Sequence, residues 1–124
     1  LKQKNNLLGI TVMDKDLDLF VINSGSSVED AARKMKINRH RCLFVVAQGK
    51  VIGVISASDI LKLLIDGGHP NVKIDDYISV NIKFLTSRDI SAAKLLMKQF
   101  GISLIPILSD NFELLDVILI EEVI

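Results

Sequence analysis

Ser56, Ser58 and Asp59 follow the apolar run Val51 to Ile55, and His40-Arg41 precedes the neighbouring run Leu43 to Ala47. Their types and spacing suit one task, gripping an anion that carries a sugar. A chain that passes from strand to helix at Ser56 presents free backbone N–H groups and a partial positive charge, which favours an anion. Asp59 is an acceptor able to take both hydroxyls of a ribose, and Ser56 and Ser58 donate to phosphate or sugar oxygens. Arg41 grips a phosphate with two coplanar N–H groups. His40 adds a donor whose charge changes near neutral pH. The same residue types also make an ordinary helix cap at Ser56 to Asp59 and a solvated loop pair at His40-Arg41. Which reading holds depends on the elements that position them.

Those elements repeat. Ser24, Val28, Ala31, Met35, Lys36 and Val45 recur at a constant offset of 62 as Thr86, Ile90, Ala93, Met97, Lys98 and Ile107. Past the next turn the offset becomes 63, pairing Val54-Ile55 with Val117-Ile118. In the first copy Leu19 to Ile22 reads as a strand, and Ser26-Ser27 offers a helix cap with Glu29 and Asp30 in the first turn. Val28, Ala31, Ala32 and Met35 lie on one helical face. Leu43 to Ala47 and Val51 to Ile55 are strands about the Gln48-Gly49 turn, and Ser56 to Ile65 is a helix with Ile60, Leu61, Leu64 and Ile65 as its apolar face. Gly67-Gly68 ends that helix. The second copy gives a strand over Ile82 to Leu85, a helix over Asp89 to Gln99, strands over Leu104 to Leu108 and Leu114 to Leu119, and a last helix barely begun at Ile124. The predicted organisation is a lead-in helix over 1–11, a first repeat over 12–68, a linker over 69–75 and a second repeat over 76–124. Each repeat runs β-α-β-β-α, an α/β (α+β) unit too small to bury both faces of its own sheet; two stacked units bury both.

Composition narrows the function classes. The chain has 124 residues, 49% hydrophobic and 24% charged, which excludes disorder. Fifteen basic residues balance fifteen acidic ones, so a general nucleic-acid binder, which needs surplus Lys and Arg, is not expected. Mean hydropathy is high at +0.39, yet the most apolar stretch, Cys42 to Ser58, is cut by Gln48-Gly49-Lys50 and forms two strands rather than a membrane span. A single Cys42 excludes an internal disulfide and a cysteine-rich zinc site. His40 and His69 stand in unrelated contexts, no nucleophile-base pair or metal-spaced cluster is legible, and no Gly-Lys-Ser loop occurs. The expectation is a binding module without catalytic residues, metal or required cofactor. No signal peptide is read at the N-terminus, the start at Leu1 instead of Met points to a piece of a longer chain, and a cytoplasmic location is expected.

The tandem β-α-β-β-α pair, with Gly53-Val54-Ile55-Ser56-Ala57-Ser58-Asp59 after its third strand, resembles a cystathionine-β-synthase (CBS) domain pair, or Bateman module, from about Val12 to Ile124. The stretch from His40 to Val46, with Gly53 to Leu61, is similar to a nucleotide-binding CBS repeat of the AMP-activated protein kinase gamma subunit; Asp59 to Gly67 looks like CBS pairs attached to sugar-phosphate nucleotidyltransferases. The resemblance implies two small sheets packed together in pseudo-twofold symmetry with flanking helices. It assigns Asp59 to ribose, Ser56 and Ser58 to ribose or phosphate, and His40 and Arg41 to phosphate. Carried over position by position, the adenine slot falls on Tyr77, Asn81, Ile82, Ile102 and Ser103, ahead of Pro106. It implies a regulatory module that takes an adenine nucleotide (AMP, then ADP or ATP, with S-adenosylmethionine an alternative) and controls an effector domain in cis or trans. A ligand-free docking or dimerisation scaffold, paired through helix faces that include Leu63, Leu64, Leu95, Leu96 and Phe100, is the other reading. Where the first repeat has Gly53, Ser56 and Asp59, the second has Asp116, Leu119 and Glu122, so one competent nucleotide site is expected, not two.

Overall fold

The computed structural model describes residues 2–5 and 11–124, with side chains from Lys15 onward. A short hairpin joins β1 (Lys2–Asn5) to β2 (Thr11–Asp14). The helix expected over 1–11 is therefore a strand where it is described, and its remaining residues lie outside the described ones. The physical reason is composition: Lys2 to Asn5 offers no apolar stripe for a helix to bury, whereas pairing with β2 satisfies its backbone.

Two sheets follow. The first runs in the order β3 (Val21–Asn23), β4 (Cys42–Ala47), β5 (Lys50–Ser56), with β3–β4 parallel and β4–β5 antiparallel. The second pairs β6 (Leu104–Leu108) with β7 (Leu114–Leu119) antiparallel. Helices α1 (Val28–Asn38) and α2 (Ala57–Ile65) accompany the first sheet, and α3 (Ile90–Phe100) the second. The repeat is exact in the helices: α1 and α3 have 11 residues each, with bounds 62 apart. Strand alternation sorts the side chains into layers. Leu43 and Val45 of β4 face α1 and α2, together with Ile22, Ile55, Leu63 and Ile74. Phe44 points the other way, into a middle layer with Phe20, Val51, Leu104, Leu108, Val117 and Leu119 that joins the two sheets. Ile105 and Ile107 of β6 face Ala93 and Met97 of α3. The middle layer gives each small sheet the second apolar cover that one repeat alone lacks.

Two expectations need correction. The strand over Ile82 to Leu85 is reduced to a single bridge, Leu85 to Ile107, because the preceding residues are committed to a different edge: Ser79 bridges Val54 of β5. In α2 the buried residue is Leu63, at 2% exposure, while Leu61, Leu64 and Ile65 are exposed. Ser58, Asp59 and Lys62 share a polar face, but the apolar arc of Ile60, Leu61, Leu63, Leu64 and Ile65 is so broad that periodicity does not say which edge of it is buried; packing with Ile74 selects Leu63. Leu63 is thus unavailable to a partner.

The linker is tied to the start of α1 by backbone bonds, among them Val28 N–H to the Val72 carbonyl and Ile74 N–H to the Ser26 carbonyl, each at 2.9 Å, and by one carboxylate. Asp75 accepts from the Ser24 hydroxyl and, at 2.7 Å, from the Gly25 backbone N–H. The Ser24 hydrogen bond first, and the Gly25 N–H second, hold the Asp75 carboxyl below its ordinary value. A folded-state value below the unfolded one means that the strap stabilises fully above the unfolded carboxylate range and fades as pH falls through the lowered value. Asp75→Asn is therefore expected to be less stable than the native chain at pH 7, with the gap closing below about pH 4. Urea unfolding of both chains at pH 7 and pH 3 checks this; an equal gap at the two pH values would refute it.

Candidate functional site

The site begins where α1 ends. Arg39 caps the helix at φ 64° and Arg41 follows at φ 59°. Two left-handed non-glycine residues on either side of His40 cost about 1–2 kcal/mol each, so surrounding bonds must hold the turn. Asn38 does so from a buried position: its Nδ2 donates to the carbonyls of Leu19 at 2.9 Å and Cys42 at 3.1 Å, and its Oδ1 accepts from the His40 N–H at 2.8 Å. The Arg41 carbonyl then takes the first N–H of α2, from Ala57, at 2.8 Å. The turn and the helix start are thereby one unit.

At that helix start Ser56 and Asp59 form a capping box. The Ser56 N–H and hydroxyl both donate to Asp59 Oδ2 at 2.8 Å, and Ser56 Oγ accepts from the Asp59 N–H at 3.3 Å. A hydroxyl has one proton, and Ser56 spends its own on Asp59, so the 2.8 Å contact between Ser56 and Ser58 is donated by Ser58.

Opposite stands the turn from α3 into β6. Gly101, the 62-offset partner of Arg39, caps α3 at φ 64°. The two turns and the β5–α2 junction enclose an open cleft of about 800 Å³. Arg39, His40, Arg41 and Cys42 line it from the first turn, Ser56, Ala57, Ser58 and Leu61 from the junction, and Phe100, Gly101, Ile102 and Ser103 from the second turn. His40 crosses the cleft: Nδ1 lies 3.0 Å from Ser103 Oγ, Nε2 lies 3.3 Å from Glu121 Oε2, and the ring stacks at a tilt on Phe20. Burial pushes the Cys42 thiol up to about 12, so it stays protonated and unreactive at neutral pH. One wall is therefore cationic and hydroxyl-bearing, with the positive end of α2 behind it and Leu61 of the same helix at its edge; across from it, Phe100 and Ile102 are apolar.

Of the residues singled out in the sequence, the structure brings His40, Arg41, Ser56, Ser58, Ile102 and Ser103 together. Asp59 lies one residue behind the lining, supporting Ser56. Tyr77, Asn81, Ile82 and Pro106 are not brought to the cleft. Mutual bonds between Val54 and Ser79, at 2.9 and 2.8 Å, seat that segment on the far edge of β5. Tyr77 and Asn81 are exposed there, Ile82 enters the middle layer, and Pro106 is buried within β6, facing Val117. Sequence reasoning missed Asn38, Arg39, Phe100 and Glu121. The repeat signals Arg39, through its pairing with Gly101; nothing in the sequence signals the cross-repeat reach of Glu121.

The pseudo-symmetric counterpart is built differently. The Glu122 side chain is wholly buried and accepts from the Leu119 N–H at 3.0 Å, as Asp59 does from Ser56. It also pairs with Lys15 at 3.0 Å and with Arg88. Asp116, in the place of Gly53, lies 3.4 Å from both cations. The carboxylate equivalent to Asp59 is thus neutralised from within the chain. Among the described residues no cluster of His, Cys, Asp or Glu is placed to hold a metal ion, and no helix is long and apolar enough to cross a membrane.

Residues 8–66 match the family model described as CBS domain. The protein MJ1225 of Methanocaldococcus jannaschii is 31% identical over 81 residues, which is 62% of this chain and 29% of that protein, so the chain spans under a third of that relative's length. A crystal structure of MJ1225, which was proposed as an archaeal homologue of the γ subunit of AMPK, superposes with a TM-score of 0.74 at 24% identity over 84% of this chain and 42% of that one. The CBS domain protein PAE2072 from Pyrobaculum aerophilum, complexed with AMP, gives 0.71 at 17% identity over 88% and 89%. The CBS domain pair of MJ0100, in complex with 5′-methylthioadenosine and S-adenosyl-L-methionine, gives 0.67 at 21% over 86% and 90%. The match over residues 8–66 is to the CBS domain model, and the chain as a whole has the fold of a CBS domain pair.

Proposed function

We propose that this chain is a regulatory module that binds one adenine nucleotide, AMP before ADP or ATP, in the cleft between its halves. The observation that carries the reading is the convergence of His40, Arg41, Ser56 and Ser58 on one side of a cleft whose lining also offers the apolar Leu61, Phe100 and Ile102. Ser56, whose proton is committed to Asp59, is not a phosphate donor as the sequence suggested; Arg39, Arg41 and the exposed Ser58 hydroxyl, once turned off Ser56, suit a phosphate, and the apolar side suits the flat face of a base. Both bonds from Ser56 fall on Asp59 Oδ2, so Asp59, behind the lining, acts on the cleft by holding Ser56. The AMP complex of a structural neighbour supports the choice of ligand. S-adenosylmethionine, whose sulfonium is cationic, suits a wall bearing Arg39 and Arg41 less well. Because the cleft takes residues from both repeats, a ligand that fits one packing of the halves better than another shifts the balance between them; an effector domain in cis or trans, which we also propose, would read that shift.

Calorimetry of the purified chain with AMP tests the reading. One equivalent is expected, together with a rise in melting temperature that grows with AMP concentration by mass action, about 2.7 kcal/mol of stabilisation at a hundred times Kd. Two equivalents would overturn the single site, since the Glu122 side would then accept ligand despite Lys15 and Arg88. A chain that binds no adenine nucleotide would favour the scaffold reading. That reading has its own observation: Leu64 at 47%, Ile65 at 75% and Leu95 at 69% exposure stand on the outer faces of α2 and α3, where a second copy would pair.

A further inference from the structure

His40 is the partition between two hollows. On one side is the cleft; on the other is a cavity of about 670 Å³ lined by Leu19, Phe20, Ile37, Asn38, Arg39 and Glu121. The charged and polar groups that face the His40 ring come from both repeats: Arg39 and Arg41 flank it in sequence, Ser103 meets Nδ1 from the start of β6, and Glu121 meets Nε2 from the 3-10 turn after β7. A carboxylate only accepts, so the proton between His40 and Glu121 belongs to Nε2. The offset of 63 makes Glu121 the counterpart of Ser58. One repeat thus places a hydroxyl at this position, and the other an anion that leans on the same imidazole the cleft presents.

We propose that Glu121 is a specificity-determining residue of the cleft, an internal anion that holds His40 and competes with the phosphate of an incoming nucleotide. This rests on the nucleotide reading above. The Glu121 side chain is 40% exposed, against 9% for His40, so the carboxylate can swing into water at little cost while the ring cannot. A phosphate entering beside Ser58 competes with Glu121 for the Nε2–H of the fixed ring, and its charge repels the carboxylate outward into water. The neutral part of the ligand feels neither effect. Glu121 therefore sets how strongly the site discriminates by charge, and occupancy of the cleft is passed to the turn Ile120–Glu122, whose last residue, Glu122, is anchored on Lys15 and Arg88.

The test is calorimetry of the full chain and of Glu121→Gln with AMP and with adenosine, alongside backbone amide NMR. In the variant AMP binds about three- to tenfold more tightly, the change expected from removing a nearby like charge, while adenosine binds as before. In the native chain AMP, and not adenosine, moves the amide signal of Glu121. Unchanged AMP affinity in Glu121→Gln, or adenosine tightening in step with AMP, overturns the role of Glu121 and leaves the nucleotide site standing. Failure of both chains to bind AMP and adenosine overturns the nucleotide reading and this proposal with it. A melting temperature of the variant within about 2 °C of native confirms that the fold is intact, as expected for an exposed substitution; Glu121→Ala repeats the comparison without the amide.

Discussion

Arg41→Ala weakens AMP binding about ten- to hundredfold and leaves adenosine binding within about twofold. The magnitude is that of charge-assisted hydrogen bonds, about 1.5–3 kcal/mol. Arg41 is exposed at the cleft mouth, and its backbone, not its side chain, carries the structural load: the carbonyl holds the first N–H of α2. Truncation at Cβ keeps that bond and keeps the same left-handed strain at φ 59°, so the melting temperature without ligand stays close to native. Arg41→Lys separates charge from geometry. A lysine keeps the cation but loses the planar fork, and an affinity between those of the native chain and the alanine variant is expected. Calorimetry of the three chains with both ligands decides. AMP affinity indifferent to Arg41→Ala would remove the phosphate from this wall, and equal losses for AMP and adenosine would show a disturbed turn instead of a lost contact.

How far the site could be read in advance depended on whether its residues are joined through local or distant contacts. Ser56, Ser58 and Asp59 are local: a cap is written in consecutive residues, and the capping box forms as their types dictate. His40-Arg41 needed one further step, the antiparallel pairing of β4 with β5 that sets Cys42 opposite Ser56, and the repeat supplied it. The adenine slot failed at Tyr77, Asn81 and Ile82 because their course depends on a long-range pairing, Ser79 with Val54, which no local pattern encodes. Asn38 was illegible for a related reason. It sits at the end of a helix where asparagine is unremarkable, and only the fold shows that it bonds Leu19 and the carbonyl of Cys42. The layers were not legible in β4 and β6, which are apolar throughout and carry no polar residue to mark one face, nor in α2, where the broad apolar arc of Ile60, Leu61, Leu63, Leu64 and Ile65 does not mark its buried edge.

The same long-range pairing carries the largest expected loss of stability, Gly53→Val. Gly53 is buried in β5 opposite Val45, and its conformation is not what requires glycine. The requirement is space: a Cβ there would stand 2.8 Å from the Ser79 carbonyl oxygen and 3.1 Å from Ile78 Cδ1. Ile78 yields by rotating, but the Ser79 carbonyl is fixed by its bond from the Val54 N–H and cannot retreat without losing the reciprocal bond. Two backbone hydrogen bonds at about 0.5–1.5 kcal/mol each, with overpacking at about 1–3 kcal/mol, place the cost near 2–6 kcal/mol. In a domain of this size that is a fall in Tm of roughly 8 °C or more, and thermal unfolding checks it. A valine variant melting within about 2 °C of native would mean that 78–79 does not seat on β5. The second repeat shows what the chain does when that position is not glycine. At Asp116 the approaching side chain is Lys15, and it ion-pairs with the carboxylate at 3.4 Å. Gly53→Asp has no such cation in Ile78, so it is expected to destabilise at least as much as valine: the new carboxylate would press on the Ser79 carbonyl without a partner.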